Sequence, residues 1–149
     1  MLQAKMVQPG EIVFEEVDKP DVKKDDVLIE MKRIGVCGSD IHVYHGEHPY
    51  TSYPVIQGHE VSGKVVETGS NVSEFKQGDK VVVRPQVVCG ECYPCLHGDY
   101  NICNNLKVMG FQTGGCAKEY VSVEKSKVLK IPDNLSYDKG ALVEPFAVA

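Results

Sequence analysis

Four cysteines lie close together in the sequence, at spacings that could hold a metal ion. They follow the pattern C-x2-C-x2-C-x7-C and are Cys89, Cys92, Cys95 and Cys103. Four thiolates in a short loop can close a tetrahedral shell around Zn²⁺ and leave no open coordination position. Apparent zinc-binding energies of about 10–16 kcal/mol can replace a hydrophobic core that such a loop lacks. The spacing therefore predicts a structural zinc site, whose sulfurs should accept hydrogen bonds from backbone N–H groups.

Two other uses of these four cysteines are less consistent with the sequence. Iron–sulfur clusters of the bacterial type use C-x2-C-x2-C-x3-C-P, whereas here the last gap is seven residues and Asn104 follows. Disulfides are disfavoured in a reducing cytosol. Zinc is the preferred interpretation, and an iron–sulfur cluster is the main alternative.

A second group of residues could do chemistry, although its members are far apart in the sequence. Cys37 opens the segment CGSDIH, His59 and Glu60 are adjacent, and Glu144 precedes a proline. A single buried cysteine usually behaves as a small hydrophobic residue, so only the combination points to a metal. Neighbouring residues in a strand face opposite sides, so His59 and Glu60 can share a metal only if the chain bends near Gly58.

Other residues of these types are expected to have ordinary roles. Three histidines are interpreted as exposed loop residues: His45, His48 and His97. Cys116 is interpreted as part of the core. For Tyr50 and Phe111, lining of a substrate cleft and simple packing are equally consistent with the sequence.

Short strands separated by turn residues are predicted for most of the remaining chain, at the spacing of a small barrel or sandwich. They are predicted over 11–17, 27–32, 61–66, 81–83, 119–123 and 128–131. A brief helix should begin at Ser39 or Asp40 and end before Gly46, and helical structure should begin after Ser136. Residues 84–116 lack periodicity, which predicts a loop-like lobe that needs a metal to hold it together.

Length and charge exclude several classes of function. The chain has 149 residues, which is enough for one domain with its own core. Its net charge of −5 argues against nucleic acid or an anionic membrane as a partner. The longest apolar runs fall far short of the roughly 18 residues that a membrane-spanning helix needs. No signal peptide is predicted, so a cytoplasmic location is expected.

Five segments of the chain resemble the zinc-dependent medium-chain alcohol and polyol dehydrogenases. They are CGSDIH at 37–42, YPVIQGHEVSG at 53–63, GDKVV at 78–82, CGECYPCLHGDYNIC at 89–103 and ALVEPFAVA at 141–149. The resemblance is to the amino-terminal catalytic domain of this family. It implies a mainly β, GroES-like barrel with short helices over residues 1–149, with a zinc-stapled lobe over about 84–116.

The resemblance also implies a role for each candidate residue. Cys37 and His59 match ligands of a catalytic zinc, and Glu60 matches a glutamate that often ligates the metal in the sorbitol, butanediol and sugar-acid branch. Glu144 matches a residue that approaches the metal through water. Ser39 and His42 match a proton relay, and this role of Ser39 is compatible with a second role as a helix cap. With the four lobe cysteines as structural ligands, two zinc ions are expected per chain.

The activity implied by the resemblance is NAD- or NADP-linked oxidation of a secondary alcohol to a ketone by hydride transfer. The substrate would be a small polyol, diol or sugar acid, and the full-length protein a homo-oligomer. No Gly-x-Gly-x-x-Gly fingerprint occurs, so the nucleotide-binding domain is expected to be absent from this chain and the fragment to be inactive alone. The alternatives are a non-catalytic zinc-binding GroES-like module and a zinc-free quinone reductase, which would not need Cys37, His59 and Glu60 together.

Overall fold

A computed structural model describes residues 1–149, and short strands make up most of the regular structure. The strands are β1 (Leu2–Gln8), β2 (Glu11–Glu16), β3 (Asp26–Ile34), β4 (Val61–Thr68), β5 (Lys80–Val83), β6 (Gln86–Val87), β7 (Lys107–Val108), β8 (Tyr120–Glu124) and β9 (Val128–Lys130). The helices are α1 (Gly38–Tyr44), α2 (Tyr93–Leu96), α3 (Tyr137–Ala141) and α4 (Val143–Val148). None of these helices has the length and apolar character needed to cross a bilayer.

Five strands form one antiparallel sheet in the order β8-β3-β4-β5-β9. Strand β3 pairs with β4 on one side and β8 on the other, so Ile29 lies between Val65 and Val121. All three side chains are buried. Because alternate residues of a strand face the same side, rows of this kind build the core on one face of the sheet.

The main core is a cluster of eleven buried residues, most of them valines from this sheet. A second cluster joins β1, helix α1 and two loop segments, and consists of Met6, Val43, Val55 and Phe111. Val43 is fully buried in this smaller cluster. Helix α1, which begins directly after Cys37, is thereby fixed against the rest of the fold.

Each predicted strand overlaps an observed one, which confirms a mainly β architecture with short helices. Strand β1 was not predicted, because its sequence LQAKMVQ is poor in β-branched and aromatic residues. Long-range pairing forms it instead. It pairs with β2, and its Ala4 and Met6 amides donate to the carbonyls of Ala117 and Val55 at 2.8 and 2.9 Å.

Two local expectations differ from the structure. Residues 27–32 alternate in a pattern typical of a half-buried strand, but Leu28, on the same side of β3 as Glu30, is only 1% exposed, so both faces of the first half of the strand are covered. Helix α1 begins at Gly38, earlier than predicted. Cys37 is its N-cap, and Asp40 lies at the third helical position, where its carboxylate accepts the Cys37 N–H. The Asp40 backbone N–H in turn faces the Cys37 side chain, and this reciprocal arrangement is a capping box.

Residues 84–116 form a lobe of short pieces, namely β6, helix α2, a 3-10 turn at Tyr100–Ile102 and β7. Several large apolar side chains of the lobe point into solvent, with Tyr93, Leu96 and Ile102 exposed by 74, 70 and 60%. Cys95 and Cys103 are buried. The part of the lobe around the cysteines therefore has little apolar core of its own.

Candidate metal centres

The four cysteines of the lobe place their sulfurs at the corners of a small cluster. All four sulfur atoms lie within 4.8 Å of one another. The Sγ–Sγ distances are 3.6 Å for Cys89 and Cys103, 3.9 Å for Cys92 and Cys103, and 4.0 Å for Cys89 and Cys95. Four sulfurs at about 2.3 Å from one zinc ion in tetrahedral geometry would be about 3.8 Å apart. The cluster therefore fits one zinc ion.

Local backbone structure produces this arrangement. Cys92 is the N-cap of helix α2 and Cys95 lies within its single turn, so the C-x2-C spacing turns both sulfurs to one side. Cys103 directly follows the 3-10 turn at Tyr100–Ile102, which brings the chain back to the other three cysteines.

Backbone amides surround the sulfurs, as the sequence predicted. The N–H groups of Cys89 and Asn105 both donate to Cys103 Sγ at 3.4 Å. Hydrogen bonds from the backbone amides of Glu91 and Cys92 lower the pKa of the Cys89 thiol to about 6. A thiolate is the form of cysteine that binds metal, so Cys89 is the thiol that this environment prepares for a cation. Burial and the neighbouring thiol of Cys92 raise the pKa of Cys95 to about 12.

A second cluster brings together Cys37, His59 and Glu60, whose ligand atoms lie within 4.8 Å of one another. Cys37 comes from the N-terminus of helix α1, and the other two residues come from the segment that leads into β4. His59 and Glu60 are both buried. One sulfur, one ring nitrogen and one carboxylate oxygen form a mixed set that suits zinc and, with only three protein ligands, leaves a coordination position open.

The bend that this second cluster requires is present at Gly58. Its φ angle is +92°, a value that residues with a β-carbon rarely adopt. The bend allows His59 and Glu60, adjacent in sequence, to point their ligand atoms toward the same space.

Asp40 belongs to this centre, although sequence reasoning treated it only as a helix cap. Its buried carboxylate accepts the Cys37 N–H at 2.9 Å through Oδ2, and its Oδ1 lies 3.9 Å from His59 Nδ1. His59 Nδ1 is buried and has no hydrogen-bond partner. Histidines that bind metal typically turn their second nitrogen toward a carboxylate. An acidic residue three positions after Cys37, at N3 of the helix, was the available signal.

Glu144 lies near the second cluster but is not one of its three members. Burial raises the pKa of the Glu144 carboxyl, and nearby His59 lowers it while Glu60 raises it. Helix α4 therefore directs a carboxylate toward the site without bringing it to the distance of the other three groups.

The two predicted relay residues are in different surroundings. Ser39 donates from Oγ to Cys37 Sγ at 3.1 Å, which places its hydroxyl at the cluster. His42 is exposed and its Nδ1 lies 3.2 Å from Glu47 Oε2. The structure shows no hydrogen bond between Ser39 and His42.

Three of the remaining candidates have the surroundings of ordinary residues. His45 and His97 are exposed and Cys116 is in the core. His48 is half-buried, because its ring stacks on Phe111 with centroids 4.6 Å apart. The Phe111 ring lies 4.9 Å from that of His59, and Phe111 and Tyr50 line one open cavity of about 480 Å³.

Comparison with known proteins gives consistent matches along the chain. The family described as Alcohol dehydrogenase GroES-like domain matches residues 23–133. Sorbitol dehydrogenase of Bacillus subtilis is 40% identical over 152 residues, covering 99% of this chain and 43% of that protein.

Solved structures share the fold. Galactitol-1-phosphate dehydrogenase from Escherichia coli superposes with a TM-score of 0.91 at 30% identity, over 99% of this chain and 43% of that one. A zinc-binding dehydrogenase from Sinorhizobium meliloti 1021 bound to NADP gives a TM-score of 0.89 at 36% identity, over 98% and 42%. The chain thus spans less than half the length of these relatives.

Proposed function

This chain belongs to the zinc-dependent alcohol and polyol dehydrogenases through its GroES-like domain, and on that premise we propose that residues 1–149 form the catalytic domain of such an enzyme. Cys37, His59 and Glu60 hold a catalytic zinc, and Glu144 is a second carboxylate that can approach the same metal. The four lobe cysteines hold a structural zinc within a lobe over about 84–116. Two zinc ions are bound per chain.

The observation that carries this proposal is the difference between the two clusters. The lobe offers four sulfurs with tetrahedral separations, which fill the coordination shell of zinc. The other cluster offers three different ligand atoms within 4.8 Å, which leaves room for a substrate oxygen. A closed shell suits a structural role, and a shell with an open position suits catalysis.

A zinc ion bound there would supply Lewis acidity, which lowers the pKa of a hydroxyl group placed against it. Cys37 and His59 would fix the position of the ion. Asp40 accepts the Cys37 N–H and places its Oδ1 3.9 Å from His59 Nδ1. The Ser39 hydroxyl, which lies at Cys37 Sγ, takes up the proton of the substrate hydroxyl and releases its own at the same time. That proton reaches His42 through solvent, because the two residues share no hydrogen bond. His42 passes the proton to solvent, since it is exposed and imidazole exchanges protons near neutral pH.

The substrate in this proposal is a small secondary alcohol, namely a polyol, diol or sugar acid, and the hydride acceptor is NAD or NADP. The relatives that support this class are sorbitol dehydrogenase and galactitol-1-phosphate dehydrogenase. The nucleotide is bound by a further domain, so the 149-residue chain alone gives no turnover. The full-length protein is proposed to be a homo-oligomer in the cytoplasm.

A chimera tests the proposal. Residues 1–149 replace the matching segment of Bacillus subtilis sorbitol dehydrogenase, and reduction of NAD and NADP is followed with polyols, diols and sugar acids. We expect turnover with at least one substrate and its loss in Cys37→Ser. Intact sorbitol dehydrogenase is the control. A folded chimera that binds two zinc ions but reduces neither nucleotide would favour a non-catalytic module.

The same chimera tests the relay. Ser39→Ala should lower kcat by about 100-fold or more while the zinc content stays at two, because general acid–base groups contribute about 10²–10⁴-fold. Unchanged kcat would remove Ser39 from the mechanism and leave the zinc assignment intact.

A further inference from the structure

We propose that Gln57 is a positioning residue for the three-ligand metal centre and that it acts through Asp40. The inference rests on the proposed catalytic zinc site. Gln57 does not itself contact Cys37 Sγ, the His59 ring or the Glu60 carboxylate; its side-chain hydrogen bonds go to Asp40. The observation that supports the proposal is that the Gln57 side-chain amide hydrogen-bonds the buried carboxylate of Asp40 next to His59.

Gln57 donates to Asp40 twice. Its Nε2 lies 3.1 Å from the Asp40 backbone oxygen and 3.1 Å from Asp40 Oδ1. The other carboxylate oxygen, Oδ2, accepts the Cys37 N–H at 2.9 Å. Both carboxylate oxygens of Asp40 are therefore held by donors, and the residue is only 8% exposed.

The backbone that carries Gln57 is itself fixed by a distant segment. The Gln57 carbonyl accepts the Ala117 N–H at 2.9 Å, and the neighbouring carbonyls of Ile56 and Gly58 accept N–H groups of Gly115 and Cys116 at 2.7 and 2.8 Å. The Gln57 side chain thus extends toward Asp40 from a backbone held on both sides. Little conformational freedom remains to be lost when it hydrogen-bonds.

The position of Asp40 matters for His59, whose Nδ1 faces it. If His59 binds the metal through Nε2, its proton is on Nδ1, and this buried atom needs an acceptor. Asp40 Oδ1, at 3.9 Å, is the carboxylate oxygen that faces it. By holding Oδ1 in this position, Gln57 keeps the acceptor beside His59, where a small shift on metal binding completes the hydrogen bond. Without Gln57 only the Cys37 N–H holds the carboxylate.

Removal of the donor should therefore weaken metal binding at this centre alone. The direct partner of a metal ligand is typically worth about 10–100-fold in affinity, so Asp40→Asn should lose that much. Gln57 is one contact further away, and we expect Gln57→Leu to lose about threefold to tenfold. Gln57→Glu should lose more than Gln57→Leu, because it places a second negative charge against Asp40.

Competition titration with Co²⁺ and Zn²⁺ against a chromophoric chelator measures these affinities in the 149-residue chain. Thiolate-to-cobalt absorption is stronger for four sulfurs than for one, so the two centres can be followed separately. The four-cysteine centre is the internal control and should keep its affinity in every variant. Gln57→Met, which retains length without a donor, replaces Gln57→Leu if the latter does not fold.

A double-mutant cycle separates this mechanism from a packing role. Because Gln57 acts through Asp40, Gln57→Leu should cause no further loss of affinity in an Asp40→Asn background. Unchanged affinity in Gln57→Leu, or losses that multiply in the double variant, would overturn the proposal. A wild-type chain that binds metal only in the lobe would overturn the catalytic site as well, and an inactive chimera with two metals would overturn only the proposed function.

Discussion

The backbone of Gly35 lies directly against the carboxylate of Glu60. A β-carbon on Gly35 would be 2.3 Å from Glu60 Oε2, far inside van der Waals contact. The Gly35 N–H also donates to the Glu60 backbone oxygen at 2.7 Å. The absence of a side chain at position 35 thus creates the space that Glu60 occupies in the three-ligand cluster.

Gly35→Ala should therefore displace the Glu60 carboxylate and weaken metal binding at this cluster by at least about tenfold. The four-cysteine centre should be unaffected, because it lies in a different lobe. Metal affinity measured by competition with a chelator checks the result for each centre.

Gly38→Ala is the matched control for this change. Gly38 directly follows Cys37 and is closer to it in sequence than Gly35 is, but a β-carbon there would have no neighbour within 4 Å. The control should keep wild-type affinity. Equal losses in the two variants would show that the contact between Gly35 and Glu60 does not govern the site.

Cys92→Ser should loosen the lobe without unfolding the sheet. The lobe has little apolar core around its cysteines, so the metal supplies most of its stability. Hydrogen exchange at amides of 84–116 should become faster by at least about tenfold, while β3 and β4 keep their protection. Cys37→Ser is the control and should leave exchange in the lobe unchanged. Wild-type protection of the lobe in Cys92→Ser would argue against a structural metal.

Cys116 should make stability fall with rising pH in alkaline solution. Burial raises the pKa of this thiol to about 12. Above a pH of about 8.5 the unfolded chain loses the thiol proton and the folded chain retains it, so protons favour the folded state. The contribution of this group is complete below that pH and is lost as the pH rises toward 12.

Denaturant unfolding of the wild type and of Cys116→Ala measures this contribution. The difference in unfolding free energy between them should shrink by about 1.4 kcal/mol per pH unit above pH 9. Other ionisable groups are common to both proteins and cancel in the difference. A difference that does not change between pH 8 and pH 11 would show that the Cys116 thiol ionises equally in both states.

The sequence predicted those parts of the sites whose residues are close together in the chain. The four lobe cysteines span fifteen residues, and one helical turn and one 3-10 turn are enough to gather them. The need for a bend at Gly58 also followed from sequence, because His59 and Glu60 are adjacent. The prediction that Cys37 binds the same metal ion as His59 and Glu60 depended on the resemblance to a known family.

Features that depend on distant contacts were not predicted. Strand β1 forms because Ala4 and Met6 find partners at Ala117 and Val55, and its own composition is poor in residues that favour a strand. The roles of Asp40 and Gln57 arise from the approach of helix α1 to the segment before β4, which local propensities cannot reveal.

Elemental analysis of the purified chain shows whether it holds two independent metal centres. The wild type should contain two zinc ions per chain, Cys37→Ser should contain one, and Cys92→Ser should contain one. The double variant should contain none. A wild-type chain with a single zinc ion that Cys37→Ser leaves in place would contradict the existence of the catalytic centre.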